Sequence, residues 1–397
     1  MMQTRKHPLV TQRYKKATEV EIGLGSFGRQ SDRHPFPPSL CSFLCPFMRR
    51  RKMGALPQLS ESRSSFQPSK DHGPVIEEIQ GLIKVCKDGH VERLPAVVDV
   101  PCTWAPEPDV ASKDVAVGHG GLWARLYVPR VQTQKLPLLV YFHGGGFCVG
   151  SAAWRCYHEF LARVASQAPC VVLSVNYRLA PEHRLPAAYE DGLAAVRWVR
   201  QQMSHRAADE PGWWLAHCDF ARVFLGGDSA GAAIAYNVAA QLGSFGVPES
   251  ALLKPACLKG MVLIQPFFGG VARTSSEKNL VQSSRSALSL TTSDCYWRLA
   301  LPPGADRDHP WCNPLAKGSP KLEDLRLPPA LVCISELDVL RDRNMEFCKA
   351  MRSAGKSVEQ ATYAGVGHAF QVLHNYHMSH ARTTEMLTHI RAFIYSR

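Results

Sequence analysis

The sequence predicts an α/β fold in which a mostly parallel central sheet is flanked by helices. Two observations carry this prediction: short Val-, Leu- and Ile-rich runs alternate with amphipathic segments of helical length, and those runs are apolar almost throughout. Alternating strands and helices form β-α units with parallel pairing, and continuously apolar strands are buried on both faces. Residues 267–330 fall outside this rhythm, so they are predicted to be an insertion over one end of the sheet.

Composition excludes several classes of protein. At 397 residues, 45% hydrophobic and 20% charged, the chain has an ordinary globular composition. No apolar run approaches the ~18 residues of a transmembrane helix. The 13 cysteines lack paired or zinc-ligand spacing, which favours a reducing compartment. Most of the net charge of +12 belongs to residues 1–72, with 13 Lys and Arg against 5 Asp and Glu, so the charge does not indicate nucleic-acid binding by the rest.

Residues 1–72 are predicted to be a disordered basic extension because they are rich in Arg, Ser, Pro and Gly and show no sustained period. The apolar patch at 40–48 precedes its basic cluster at 49–52, the reverse of a secretory signal. A transit peptide, a disordered tail and an upstream start before Met53 all remain open.

Order is expected to begin near residue 75. A short helix is predicted at 75–79, followed by a hairpin whose strands, 82–85 and 90–93, flank an Asp-Gly turn. Two more strands, 111–117 and 123–128, enclose a Gly-rich turn. This part is predicted to be an antiparallel entry into the sheet.

The β-α units follow from residue 136 onwards. Strands are predicted at 138–142, 170–175, 222–225, 260–264, 331–335 and 357–363. Helices are predicted at 157–167, 187–202, from 230 to about 243, 340–353 and 383–395, with a further helix at 287–300 inside the insertion.

A Gly-x-Ser-x-Gly pattern centred on Ser229 lies between one of these strands and its helix. In that context the pattern predicts a nucleophile elbow, a sharp turn that exposes the serine hydroxyl. Gly227 and Gly231 lack a Cβ atom, so the strand and the helix can approach closely enough to form the turn.

A serine hydroxyl needs a base, and the base needs a group that orients it. Because functional groups collect at the carboxyl ends of parallel strands, the loops after strands 331–335 and 357–363 are where partners are expected. They supply Asp338 and His368, and the chain order Ser, Asp, His is the one expected when the nucleophile lies on such an elbow in an α/β-hydrolase-type fold. Glu336 and Asp342 compete with Asp338, but one follows the strand too soon and the other falls inside a predicted helix.

Backbone donors for a tetrahedral oxyanion are predicted in the His143-Gly-Gly-Gly-Phe stretch that follows the first buried strand. The N–H groups of Gly144 and Gly145, with that of Ala230 beside the nucleophile, are predicted to form the oxyanion hole. His143 is predicted to brace the loop rather than act as a base.

The motifs together resemble the hormone-sensitive-lipase-like branch of α/β-hydrolases, and more closely its plant carboxylesterases. The resemblance rests on His143-Gly-Gly-Gly-Phe, Gly227-Asp-Ser-Ala-Gly, Asp308-His-Pro-Trp-Cys-Asn-Pro and the loop that begins at Asn176-Tyr-Arg-Leu-Ala-Pro, and it covers about residues 75–397. It implies an α/β-hydrolase domain at 73–397 with cap elements at about 73–95 and 267–330, no cofactor and no metal. The implied activity is hydrolysis of small to medium carboxylic esters through an acyl-enzyme.

Two other functions occur in that branch. Gibberellin receptors resemble these esterases with the catalytic His replaced, whereas this chain has His368. The 2-hydroxyisoflavanone dehydratases of legumes resemble them with Thr for the nucleophile, whereas this chain has Ser229. A hormone receptor and a lyase therefore remain alternatives to the esterase.

The binding pocket is predicted from apolar residues in or near the loops and the insertion, which indicate an apolar substrate without selecting a molecule. The candidates are Phe147, Phe267, Phe268, Trp297 and Val339. The expected partner is a small-molecule ester, with no nucleic acid and no membrane span. A cytoplasmic location is expected, and the oligomeric state is left open.

Overall fold

The computed structural model describes residues 72–118, 120–130, 134–204, 212–244, 256–281, 283 and 285–397. Apart from His72, the predicted basic extension lies outside these residues. Within them, no helix is both long and apolar enough to cross a membrane. Every cysteine in the described part is a free thiol.

The described chain begins with a small antiparallel sheet of three strands, β1 (Val75–Ile79), β2 (Ile83–Cys86) and β3 (Val91–Arg93). The hairpin between β2 and β3 is confirmed. The predicted helix at 75–79 is wrong: this segment is strand β1, which pairs with β2 from Val75 opposite Cys86 to Ile79 opposite Ile83. Five residues are too few to stabilise a helix in isolation, so pairing with the neighbouring strand decides the conformation.

The described residues form a central sheet of eight strands, and β6 and β8 lie near its middle, each paired on both sides. The order across the sheet is β11-β10-β9-β8-β6-β7-β5-β4, and all neighbours are parallel except β5 with β4 and β7. Along the chain the strands are β4 (Val110–Ala116), β5 (Trp123–Pro129), β6 (Leu136–Phe142), β7 (Val171–Asn176), β8 (Cys218–Asp228), β9 (Leu258–Ile264), β10 (Ala330–Ser335) and β11 (Val358–Tyr363). The mostly parallel sheet is therefore confirmed.

Helices cover both faces of this sheet because its central strands are apolar on both sides; all seven residues of β6 are buried. Two apolar clusters result: α2 and α3 pack into one, and α1 and α8 into the other. The helices are α1 (Arg155–Gln167), α2 (Ala187–Ser204), α3 (Ala230–Gly243), α4 (Ser275–Asn279), α5 (Leu290–Ala300), α6 (Arg341–Ser353), α7 (Phe370–Leu373) and α8 (Ser379–Tyr395). The helices predicted around α1, α2, α3, α6 and α8 are confirmed.

The described residues of the segment 267–330 form short helices, as predicted. Its longest helix, α5, begins at Leu290 rather than at 287, because the Ser289 hydroxyl accepts the Thr292 N–H and caps the helix there. The insertion is tied to strand β1 by Arg298, whose Nε lies 2.6 Å from a carboxylate oxygen of Glu77. Strand β3 is tied to the loop after β7 by Arg93, which donates to both carboxylate oxygens of Glu182 at 2.6 Å.

Candidate active site

Ser229 lies at the turn between β8 and α3, with φ 52° and ψ −119°. A non-glycine residue in this region is strained, and the strain is maintained because the strand and the helix cross at close range. A Cβ atom on Gly231 would lie 1.9 Å from the Phe142 carbonyl oxygen, and one on Gly227 would lie 2.4 Å from the Gly231 carbonyl carbon. Both glycines are therefore required by the backbone, and the turn has the geometry of a nucleophile elbow.

The structure brings Ser229, His368 and Asp338 into one hydrogen-bonded line. Ser229 Oγ lies 2.9 Å from His368 Nε2, and His368 Nδ1 lies 2.8 Å from Asp338 Oδ2. All three residues are buried, between 2% and 5% exposed. A carboxylate only accepts hydrogen bonds, so Nδ1 carries a proton and Nε2 is left to accept the Ser229 hydroxyl proton.

The loops after β10 and β11 hold these two partners in place. Asp338 Oδ1 accepts the Leu340 N–H at 3.0 Å, which fixes the rotation of the carboxylate. The competing acids have other roles: Glu336 accepts the Gly365 N–H at 2.8 Å, and Asp342 accepts the Ser276 N–H at 2.6 Å. The geometry therefore selects Asp338 as the carboxylate at the histidine.

Gln265 is a supporting residue that the sequence did not single out. Its side-chain oxygen accepts the Ala369 N–H at 2.7 Å, directly after His368, and its amide nitrogen donates to the Ser335 hydroxyl. It thereby fastens the histidine loop to the end of β10 from a fully buried position. Gln265 adopts a positive φ of 47°. Neither this conformation nor the supporting role could be predicted, because a single Gln after a strand carries no sequence signal for either.

The glycine loop after β6 differs from the predicted oxyanion hole at one position. The Gly144 N–H does not point into the cavity: it donates to Tyr157 Oη at 2.9 Å and to Asp228 Oδ1 at 3.0 Å. Gly145 and Gly146 do line the cavity, and no described group accepts their N–H groups. Both have positive φ values, 114° and 57°, and a Cβ atom would lie 2.0 Å from the Val149 carbonyl oxygen at Gly145 and 2.3 Å from the Tyr296 ring at Gly146, so both positions require glycine.

His143 braces this loop, as expected. Its Nδ1 donates to the Gly144 carbonyl at 2.8 Å, and its ring stacks on Tyr177 with centroids 4.3 Å apart. Complete burial lowers the pKa of His143 to about 4, so the ring is neutral and is not placed to act as a base.

A cavity of about 220 Å³ opens above Ser229 and His368. Its lining is apolar apart from Ser229, His368, Asp228 and two tyrosines, and no Lys or Arg is among the described residues that form it. Four parts of the chain contribute to this lining. They are the N-terminal segment with Leu82, Ala96 and Val97, the insertion with Ala287, Leu288 and Tyr296, the region around α1 with Trp154, Cys156 and Tyr157, and the region around α7 with Ala369, Val372 and Leu373.

Of the five predicted pocket residues, only Phe267 lines this cavity. Trp297 lies behind it, stacked on Phe267 at a centroid distance of 4.5 Å, and Phe147 packs on Trp297 at 5.5 Å. Phe268 packs on Phe347 at 4.9 Å, and Val339 is 1% exposed. These four were wrong as pocket residues because a large apolar side chain near a loop satisfies the core equally well.

Comparisons with known proteins agree with this geometry. A family model described as an alpha/beta hydrolase fold matches residues 139–372. A probable carboxylesterase 6 of Arabidopsis thaliana is 47% identical over 332 residues, which cover 82% of this chain and 94% of that protein. A 2-hydroxyisoflavanone dehydratase of Glycyrrhiza echinata is 36% identical, covering 84% of this chain and 99% of that protein. A solved esterase of Pyrobaculum calidifontis superposes with a TM-score of 0.59 at 29% identity, covering 74% of this chain and 87% of that one.

Proposed function

This chain belongs to the α/β-hydrolase fold family and is a serine carboxylesterase, and we propose that Ser229, His368 and Asp338 are its catalytic residues. The observation that carries the proposal is the unbroken hydrogen-bonded line from Ser229 Oγ through His368 to Asp338, whose first two members line an apolar cavity. The oxyanion donors proposed with it are the N–H groups of Gly145, Gly146 and Ala230.

In the acylation step, Ser229 Oγ attacks the ester carbonyl carbon while its proton passes to His368 Nε2. Asp338 stabilises the imidazolium and keeps the ring oriented, and the carbonyl oxygen becomes an anion facing the Gly145, Gly146 and Ala230 N–H groups. Ala230 is the first residue of α3, where an N–H has no partner within the helix. When the tetrahedral intermediate collapses, the alkoxide leaves with the proton from Nε2.

Deacylation repeats these steps with water. His368 Nε2 takes a proton from a water molecule, whose oxygen attacks the acyl carbon and forms a second oxyanion in the same site. Collapse breaks the bond to Ser229 Oγ, which regains its proton from Nε2, and the carboxylic acid leaves. Ser229 therefore ends acylation as a neutral ester and ends deacylation as a neutral hydroxyl.

The proposed substrates are uncharged esters of small to medium size. A cavity of about 220 Å³ lies below the range of about 300–1,000 Å³ typical of sites for drug-sized ligands. Its lack of Lys and Arg among the described lining residues offers no ion pair to an acidic substrate. We propose that segments 73–95 and 267–330 act as caps, since Leu82 and Tyr296 line the cavity from them.

The test compares wild type, Ser229→Ala and Ser174→Ala on p-nitrophenyl esters of increasing acyl length. Turnover is expected to fall about 10⁶-fold in Ser229→Ala, as for loss of a nucleophile in a triad. Ser174 is the control, a buried serine on β7 whose hydroxyl has no partner among the described residues; its variant should keep turnover. Short acyl chains should be preferred. Wild-type turnover in Ser229→Ala would refute the assignment.

The receptor and lyase alternatives lack the support that the esterase has. A hormone receptor needs no base, yet His368 here is hydrogen-bonded to both partners. A dehydratase is among the relatives, so assay of a 2-hydroxyisoflavanone with the purified protein distinguishes a lyase from an esterase. We propose no nucleic-acid partner and a cytoplasmic location; imaging of a C-terminally tagged chain would show whether residues 1–72 direct it to an organelle instead.

A further inference from the structure

Asp228, the residue before the nucleophile, has a buried carboxylate that the steps above do not use. It is 1% exposed, and three donors surround it. Tyr141 Oη and the Gly144 N–H donate to Oδ1 at 2.8 and 3.0 Å, and Tyr157 Oη donates to Oδ2 at 3.0 Å. Tyr157 Oη also accepts the Gly144 N–H at 2.9 Å, so the network closes on itself.

This network connects the two pieces of backbone that supply the proposed oxyanion donors. Gly144 begins the loop that carries Gly145 and Gly146, while Asp228 is covalently joined to the elbow that carries Ser229 and Ala230. We propose, on the premise of the function proposed above, that Asp228 is a positioning residue for ester hydrolysis. Its carboxylate sets the distance between the glycine loop and the elbow, and Tyr157 is the second arm of the same clamp.

A carboxylate suits this role because it offers two oxygens in one plane to several donors at once. The same bonds engage the Gly144 N–H, while the next two residues of the loop, Gly145 and Gly146, line the cavity. A displacement of about 1 Å at such donors costs about 10²-fold in rate. The Asp228 carboxylate also excludes any side chain at position 144, because a Cβ atom on Gly144 would lie 2.6 Å from Asp228 Oδ2.

Burial raises the pKa of Asp228 to about 6. The hydrogen-bond donors and the nearby His368 favour the anion and so oppose this increase in the pKa. The titratable groups that face it come from four elements: Tyr141 on β6, Cys156 and Tyr157 on α1, Tyr177 after β7 and His368 after β11. A proton on Oδ2 must be donated, and Tyr157 Oη is the group that would have to accept it. The clamp as described is therefore complete only above about pH 6.

The test is Asp228→Asn, which keeps the shape and turns one acceptor into a donor that opposes Tyr157 or Gly144. We expect kcat/KM for a p-nitrophenyl ester to fall about 10- to 100-fold, mainly through kcat. The affinity for a trifluoromethyl ketone, which forms a tetrahedral oxyanion on Ser229, should fall by the same factor. The acid limb of the pH profile should lose one ionisation, a change that a merely structural role would not produce.

Asp114→Asn is the matched control, because it makes the same chemical change at the sheet edge, where Asp114 pairs with Arg125. It should leave kcat/KM and ketone affinity unchanged. If Asp228→Asn does not fold, Tyr157→Phe decides, since it removes only the hydroxyl, and both constants should again fall together. The proposal is overturned if whichever variant folds stays within about threefold of wild type in both constants. Activity that survives Ser229→Ala would instead refute the proposed function.

Discussion

Asp338→Asn tests the triad most directly, because the structure determines how the new side chain must be oriented. Asp338 Oδ1 accepts the Leu340 N–H at 3.0 Å, so the asparagine oxygen takes that place. The amide NH₂ group must then face His368 Nδ1, where the carboxylate oxygen now lies at 2.8 Å. Two donors cannot share that bond, so Nδ1 loses its proton and the ring adopts the other tautomer.

The other tautomer places a proton on Nε2, 2.9 Å from Ser229 Oγ. A protonated Nε2 cannot accept the hydroxyl proton, so the nucleophile loses its base. We expect kcat to fall about 10⁴-fold, equivalent to about 5.5 kcal/mol of transition-state stabilisation. KM and thermal stability should change much less, because shape and burial are preserved.

The assay is steady-state hydrolysis of a short p-nitrophenyl ester, with the active fraction measured by titration of Ser229 with a phosphonate. Glu336→Gln is the matched control: it is exposed, and its amide oxygen can still accept the Gly365 N–H. Its kcat should match wild type. A kcat within about tenfold of wild type for Asp338→Asn would refute the assignment of the orienting carboxylate.

Three further outcomes are expected. Gly231→Ala should destabilise the protein by about 3 kcal/mol or more in urea unfolding, because its Cβ would lie 1.9 Å from the Phe142 oxygen; an unchanged midpoint would contradict the elbow geometry. Trp297→Ala should cost about 3–5 kcal/mol as a core deletion, whereas Tyr296→Phe should alter KM with little effect on stability. The pKa of Asp228 rises from 3.8 to about 6 on folding, so the folded state binds more protons between these values and loses stability as pH rises through them. Asn at position 228 does not titrate, so Asp228→Asn should remove this cost of about 3 kcal/mol. The free energy of unfolding of the variant, relative to wild type, should therefore increase from pH 4 to pH 7. A difference that does not change with pH would contradict the raised pKa of Asp228.

Much of the candidate site was predictable because its chemistry follows strand ends. Ser229 follows β8 directly, and Asp338 and His368 lie in the loops after β10 and the edge strand β11. Parallel strands bring their carboxyl ends to one edge of a sheet. Residues 139 positions apart in the chain therefore meet at hydrogen-bond distance. The Asp-Gly hairpin and the two glycines of the elbow were predictable for a similar reason, since their backbone requirements are local.

The pocket and the oxyanion loop were decided only by the tertiary structure. Tyr296 and Trp297 are neighbours on α5, and only packing against Phe267 determines which ring lines the cavity and which fills the core. The Gly144 N–H is engaged by Asp228 and Tyr157, which lie 84 and 13 residues away along the chain, whereas no described group accepts the Gly145 N–H. By itself, the sequence predicted the candidate reacting groups and the order, along the chain, of the strands that they follow. The contacts that aim the donors and shape the cavity join distant segments, and no local pattern carries that information.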